Sequence, residues 1–570
     1  MAAQLPRNEE IAAQLELLAD LLELEGEASF RVVAYRRAAT LARETPGSFA
    51  QLALDGDAKS LPGIGAIIEE KVVQVVEDGE MHALTKRRAM VPPEVVLFMR
   101  LPGIGPKTAR RIWQELGVET LAGLREAAEQ KRLRSLTGLG PKTEENVLRA
   151  LDAEPEERVG TLLGRALPAL QAVVSVLAEH PAAERVSEAG SARRRKETVR
   201  DLDIIATASA PAELIDYFCN LHWVEEVAAR GPTKATVVSH DGLRFDLRVV
   251  PPESYGNLLQ HFTGSKAHNV ALREDAVRRK RSVSEYGVQD IEAGTVSTAR
   301  GEEELYEHLG YAFIPPELRE GAGELEAARR GEIPRLVDST DLRGDLHAHS
   351  DWSSDGRDTL EVMADAARAR GYSYLAITDH SHYLQDGRLE AQHEQLDELN
   401  AKLAPFRLLK GIEANIRPDG TVDVDDERLA LCDWVMASVH ARFEPGKDGT
   451  ARVLAAMDNP RVDCIGHLTG RRIGRRPPAE LDLDRIVEHA LATETFLEIN
   501  SQPDRLDLRD VHARLAVEAG VKLAVSSDGH RTDALAFVEL GIGQARRAWL
   551  TRENVLNTRD WSEIQELRGR

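Results

Sequence analysis

At 570 residues the chain is too long for one hydrophobic core and is expected to divide into several domains. Its 42% hydrophobic and 29% charged content belongs to a folded protein and excludes a disordered one. A formal net charge of -22 argues against a nucleic-acid partner until the placement of the basic residues is considered, because phosphates respond to the local field. Three widely separated cysteines (Cys219, Cys432 and Cys464) exclude a disulfide framework and fit a reducing compartment. The opening MAAQLPRNEEIAAQLELLAD lacks the basic start and apolar run of a secretory signal, and no run of about 18 apolar residues occurs. A cytoplasmic protein with no membrane partner is therefore expected.

Residues 1–155 read as helices, with Ala, Leu, Glu and Arg at 3.6-residue spacing. LPGIGAIIEEKV (61–72), LPGIGPKTARRI (101–112) and LTGLGPKTEENV (136–147) repeat one pattern of apolar residue, Gly-x-Gly and helix. Gly63 and Gly65, Gly103 and Gly105, and Gly138 and Gly140 permit a tight turn whose amides face a phosphate at a helix N-terminus, with Lys107 beside one of them. Such contacts hold DNA without reading its sequence. The pattern resembles the helix-hairpin-helix motif of repair proteins. Basic residues cluster nearby: Lys86, Arg87, Arg88, Arg100, Lys107, Arg110 and Arg111 face only Glu94 in that stretch. Arg193, Arg194, Arg195, Lys196 and Arg200 form a second run, and Arg278, Arg279, Lys280 and Arg281 a third. Any one run alone reads as a solvated helix face; three beside motifs that suggest phosphate contact shift the balance towards phosphate.

From about residue 156 the pattern becomes mixed α/β, with strand-like runs at 203–209, 235–239 and 244–250. Asp201 and Asp203, two apart on a strand, point to one face, and Asp246 of RFDLRVV can complete a carboxylate cluster for Mg²⁺ or Mn²⁺. Two such ions about 3.5–4 Å apart suit an in-line displacement at phosphorus. Upstream, the amides and hydroxyl of Gly190 and Ser191, together with Arg194, are placed to hold triphosphate oxygens. Here the chain resembles the family X (polymerase beta-like) DNA polymerases. The resemblance implies an N-terminal lyase-like helical domain (1–85), helix-hairpin-helix fingers (86–155), a nucleotidyltransferase palm (156–250) and a small thumb (251–316). HFTGSKAHNVALR (261–273) is similar to the family segment that lines the nucleotide, which implies roles for Phe262, Gly264, Asn269 and Arg273. Alignment on LPGIG puts the family's Schiff-base lysine, which acts on abasic sites, at Lys71. The chain departs from the family at Ala192, Arg195, Arg200 and His261, where an aromatic residue, two glycines and a tyrosine are usual. Residues 317–338, charged and glycine-bearing, read as a linker.

In residues 339–570 metal-ligand residues follow apolar strand-like runs. His347, His349 and Asp355 stand in GDLHAHSDWSSDG, His380 in LAITDHS and Glu413 in LKGIEAN. His440 follows WVMAS, His467 stands in CIGHL, and Asp528 and His530 in LAVSSDGH. Ligands at strand C-termini are the pattern of a (β/α) barrel active site. This half resembles the PHP (polymerase and histidinol phosphatase) domain, a distorted (β/α)7 barrel holding about three metals. By resemblance His347, His349, Glu413 and Asp528 share one ion, Glu413, His440 and His467 a second, and Asp355, His380 and His530 a third. Imidazole-rich sites suit Zn²⁺ or Mn²⁺. Arg442, Arg471 and Arg472 are either phosphate clamps or ordinary surface arginines. The fold class is multidomain: α-helical N-terminal domains, an α/β palm with small thumb, and a C-terminal PHP barrel. The resemblance implies a monomeric gap-filling polymerase using deoxynucleoside triphosphates on gapped, primer-template or abasic DNA, with 3′–5′ exonuclease in the PHP domain. Two alternatives stay open: a small-molecule phosphatase in the PHP half, and a polymerase half that only binds DNA.

Overall fold

A computed structural model describes residues 5–568, apart from 7, 28, 45–47, 62–63, 89, 100, 102–103, 153–159 and 441–447. The chain divides into two compact units, Met1–Val159 with Pro211–Leu247, and Gly160–Ala210 with Arg248–Arg570.

The first unit is mainly helical. In the helix Asn8–Glu25, Ile11, Leu15, Leu18 and Leu22 recur at helical spacing and are at most 4% exposed, so one face enters the core. The three repeats fold alike. Ile64, Ile104 and Leu139 each donate an amide hydrogen bond to the carbonyl three residues back, at 3.1, 3.1 and 3.0 Å. The helices Ala66–Asp78, Pro106–Leu116 and Pro141–Asp152 follow directly. The region read as the palm is shared between the two units, Pro211–Leu247 belonging to the first and Gly160–Ala210 to the second. Its strands in chain order are β1 (Ala183–Glu188), β2 (Asp201–Ala208), β3 (Val224–Arg230), β4 (Lys234–Ser239) and β5 (Arg244–Val249). β1 pairs antiparallel with β2, and β3 with β4.

In the second unit the thumb consists of the helices Tyr255–Thr263 and Lys266–Arg278 and a three-stranded antiparallel sheet. The C-terminal domain is a seven-stranded parallel barrel. Its strands are β6 (Gly344–Ala348), β7 (Tyr374–Ile377), β8 (Arg407–Asn415), β9 (Trp434–Ser438), β10 (Cys464–Ile465), β11 (Phe496–Asn500) and β12 (Leu523–Ser526), and neighbours in sequence are neighbours in the sheet. The last strand returns to the first, where the His349 amide donates to the Gly529 carbonyl at 2.8 Å. Runs such as Tyr374–Ile377 are buried throughout, as expected of parallel strands covered by helices.

The expected linker at 317–338 is folded instead. It contains a 3-10 turn (Pro316–Leu318) and a helix (Glu324–Arg330). Its anchors are charged: Arg319 is 0% exposed and pairs with buried Glu302, while Glu324 accepts from His268 at 2.6 Å. Charged side chains chosen for burial have the composition of a linker, which is why sequence alone misreads the segment.

Removing Arg319 leaves Glu302 underpaired in the interior. Arg319→Met is expected to cost about 3 kcal/mol in chemical denaturation. A loss below about 1 kcal/mol, the range of surface pairs, would contradict this burial.

Candidate active sites

All nine expected PHP ligands lie at the C-terminal ends of barrel strands or in the loops that follow. His347 is on β6, with His349 just beyond it and Asp355 in the next loop. His380 follows β7, Glu413 is on β8, His440 follows β9, His467 follows β10, and Asp528 and His530 follow β12. Glu413, 1% exposed, lies at the centre. Its Oε1 is 3.1 Å from both His440 Nε2 and His467 Nε2, and its Oε2 is 2.7 Å from His380 Nδ1. Asp528 Oδ1 is 3.2 Å from His349 Nε2 and 3.6 Å from His347 Nε2. Asp355 Oδ2 stands 3.3 Å from His380 and 3.4 Å from His530.

Three triads have ligand atoms within 4.8 Å of one another: His347, His349 and Asp528; His349, His380 and His530; and His380, Glu413 and His440. His347 Nε2, both ring nitrogens of His349, His380 Nδ1 and Glu413 Oε2 are buried and, close contacts notwithstanding, make no well-aligned hydrogen bond among the described residues. Clustered orphan donor atoms of this chemistry fit divalent cations.

The electrostatics follow from packing. Burial opposes charge on Glu413, yet His440, His347 and His380 hold its carboxyl well below the usual range. Burial, with the neighbouring His530 and His380, pushes His349 down to about 3. Against burial, Glu413 and Asp355 lift His380 to about 10. Two ligands, His467 (φ 29°) and Asp528 (φ 52°), hold left-handed backbone, a strain that the surrounding structure must sustain. The His467 amide is fixed by a 2.7 Å bond to Glu498 Oε2.

The polymerase residues are placed as follows. Gly190 (φ 66°) opens a turn against Asp203: a Cβ there would lie 2.1 Å from Asp203 Oδ2. Ser191 follows it, half-buried. Asp201 and Asp203 share one face of β2, and Asp246 lies on β5, where Thr236 Oγ1 donates to it and Arg244 is 3.6 Å away. Gly264 is required sterically, since a Cβ would come within 2.5 Å of Asn269 Oδ1. That contact lets Asn269 Nδ2 donate to His261 O and Gly264 O at 2.8 and 3.1 Å. The Phe262 ring carries the Arg248 guanidinium at 4.4 Å, and exposed Arg273 reaches His261 Nδ1 at 3.2 Å.

Arg194 differs from its expected role. It is 8% exposed, and its guanidinium donates to Glu320 at 2.9 Å and to Thr263 O at 2.8 Å, so it ties the turn to the thumb. The basic runs are likewise largely paired inside the protein. Arg193 bridges to Glu302 at 2.7 Å, Arg195 to Glu188 at 2.8 Å, Arg279 to Asp275, and Arg87 to Glu25 at 3.1 Å.

Among the repeats, a Cβ at Gly65, Gly105, Gly138 or Gly140 would meet nothing within 4 Å, so each turn faces open space. Lys107 is exposed, and Lys71 is half-buried in the helix Ala66–Asp78. Gly63, Gly103, Arg100 and Arg442 lie outside the described residues.

Residues 6–81 match a family described as a helix-hairpin-helix domain, and residues 95–153 a SAM-like helix-hairpin-helix tandem. Residues 258–320 match the DNA polymerase beta thumb, and residues 345–502 the PHP domain. The chain is 38% identical over 571 residues to a DNA polymerase/3′-5′ exonuclease PolX of Bacillus subtilis (strain 168), covering 98% of each chain. It belongs to the bacterial family X DNA polymerases with a C-terminal PHP domain. Over the PHP half it is also similar to a probable phosphatase of Thermoanaerobacter sp. (strain X514), 30% identical over 39% of this chain and 92% of the relative. A probable phosphatase of Caldanaerobacter subterraneus subsp. tengcongensis is 31% identical over 38% of this chain and 86% of its own length.

In this family X polymerase, sequence reasoning missed the residues that orient the ligands. Glu498, 0% exposed on β11, accepts from His347 Nδ1 at 2.7 Å, and Asn415 Oδ1 lies 2.6 Å from His440 Nδ1. The signal was an acid inside the apolar run FLEIN. Arg471 and Arg472 are committed, to Glu197 and the Arg505 carbonyl, and to Asp504. Arg505 was also missed. It is 7% exposed, its Nε lies 4.0 Å from Asp528 Oδ2, and its Nε and Nη1 lack partners.

Glu498→Gln should weaken divalent-ion retention by about 10–100-fold, measured by metal analysis after dialysis. Retention equal to wild type would contradict its orienting role. Because neighbouring carboxylates raise the His380 imidazole and a metal ligand must be neutral, loading is expected to release protons and affinity to rise with pH. Calorimetry in buffers of different ionisation enthalpy measures that release.

Proposed function

We propose that this chain is a DNA repair polymerase that fills short gaps by nucleotidyl transfer and trims 3′ ends through its PHP domain. The observation that carries the reading is that one chain combines Asp203 packed against the Gly190 turn with a cluster of histidines and carboxylates in the barrel mouth, seven of which form three triads. The B. subtilis relative, named for both activities along its whole length, supports it.

In this reading Asp201, Asp203 and Asp246 hold two Mg²⁺ or Mn²⁺ ions, and Asp246 accepts the proton of the primer hydroxyl. Gly190 and Ser191 receive the triphosphate, Phe262 and Gly264 border the sugar, and Asn269 and Arg273 face the nascent pair. The glycine turns with Lys107 follow the DNA backbone. Lys71 would act on abasic ends. In the barrel, the nine residues hold about three Zn²⁺ or Mn²⁺ ions, and Arg505, whose Nε and Nη1 make no hydrogen bond among the described residues, takes a phosphate oxygen. When bound, divalent ions supply the Lewis acidity that eases attack at phosphorus and stabilises the leaving oxygen.

Asp203→Asn should abolish primer extension on gapped DNA while 3′ shortening continues, and Glu413→Gln should do the reverse. If either substitution removes both activities in a protein with an unchanged unfolding curve, the two-centre reading fails. The phosphatase relatives favour a second reading, a PHP half that hydrolyses small phosphomonoesters. Fast turnover of such esters with no shortening of DNA would select it.

A further inference from the structure

The turn Gly190–Glu197 lies between β1 and β2, and its shape sets where Ser191 stands relative to Asp203. Arg195 within it has φ 58°, a left-handed conformation that an L side chain adopts only when something holds it there. A glycine would need no such support.

The support comes from the last long helix of the barrel, Val538–Arg547. Gln544, 1% exposed, donates from Nε2 to the Arg195 carbonyl at 2.8 Å. Arg547 donates from Nη1 to the Arg194 carbonyl at 2.9 Å. The same guanidinium is fixed by Glu320 at 2.8 Å and Asp510 at 2.6 Å, and Glu320 also takes Arg194 Nε at 2.9 Å. Gly543 makes room for the contact, since a Cβ there would sit 3.0 Å from Arg195 Cβ. On the palm side Arg195 pairs with Glu188 at 2.8 Å, and Glu197 accepts from Arg471 of the barrel at 2.7 Å. Two successive carbonyls of the turn are thus bound by side chains of one barrel helix.

We propose that Gln544 and Arg547 are positioning residues for nucleotidyl transfer: the PHP domain holds the turn in the shape that receives the triphosphate. This rests on the reading of Gly190 and Ser191 as the triphosphate site. It gives the barrel a role in synthesis that is independent of its own metal chemistry, and it accounts for Arg195 at a position of left-handed backbone.

The test uses the full-length protein and steady-state incorporation of one deoxynucleotide into gapped DNA, with 3′ shortening measured in parallel. Gln544→Ala should raise the KM for the deoxynucleotide about tenfold, the effect of one lost buried hydrogen bond, and leave shortening unchanged. Adding Arg195→Gly to Gln544→Ala should return KM towards wild type, because glycine holds the turn unaided. An unchanged KM in Gln544→Ala overturns the proposal. So does a loss of both activities that Arg195→Gly does not relieve, because the helix then supports the fold in general. Ser191→Ala separates the two levels. If it leaves KM unchanged, the triphosphate reading itself fails. If it raises KM and Gln544→Ala does not, only the proposal fails.

Discussion

Glu413 carries a negative charge that is almost wholly withdrawn from water, and the mouth of the barrel is organised by that charge. Isolating a carboxylate in this way costs several kcal/mol unless cations surround it. His347, His380, His440 and His467 approach its two oxygens from four different strand ends. Only a closed parallel barrel delivers so many side chains to one point, because every strand ends on the same face. The neighbours are fixed in turn: Glu498 holds the His347 ring and the His467 amide, and Asn415 holds His440. A centre that concentrates carboxylates and imidazoles in this way fits divalent ions.

Buried charge also joins the parts of the second unit. Glu302 takes both Arg193 from the turn and Arg319 from beyond the thumb. Glu320 takes both Arg194 from the turn and Arg547 from the barrel. Glu317 takes Arg546 at 2.7 Å. Each carboxylate therefore links two elements distant in sequence, and losing any one arginine leaves a buried charge short of a partner. Polymerase turn, thumb and PHP domain are held by the same kind of interaction that assembles the metal ligands.

This pattern explains what was legible in the sequence. The residues that gather in the barrel mouth could be read because they stand at the ends of apolar strands, a local signal. The helix-hairpin-helix turns could be read because glycine and proline mark helix starts locally. Glu498 could not, since one acid in FLEIN becomes meaningful only when barrel closure brings it to His347 of β6 and to the His467 amide beyond β10. Arg193 and Arg194 were misread as facing phosphate because their partners Glu302 and Glu320 lie more than a hundred residues away in sequence. The segment 317–338 was misread as a linker for the same reason: its anchors are charged, and their partners are remote. Arg195, an apparent departure from a glycine turn, becomes intelligible once Gln544 is seen on its carbonyl.

The central claim is that one chain both extends and shortens a 3′ end at separate centres. The most direct measurement follows a 5′-labelled primer on gapped DNA with Mn²⁺, with and without deoxynucleotides, on one gel. Lengthening is expected when nucleotides are present, and stepwise shortening when they are absent. Shortening under both conditions would contradict it, leaving the barrel as the only catalytic centre and the first half as a module that positions DNA.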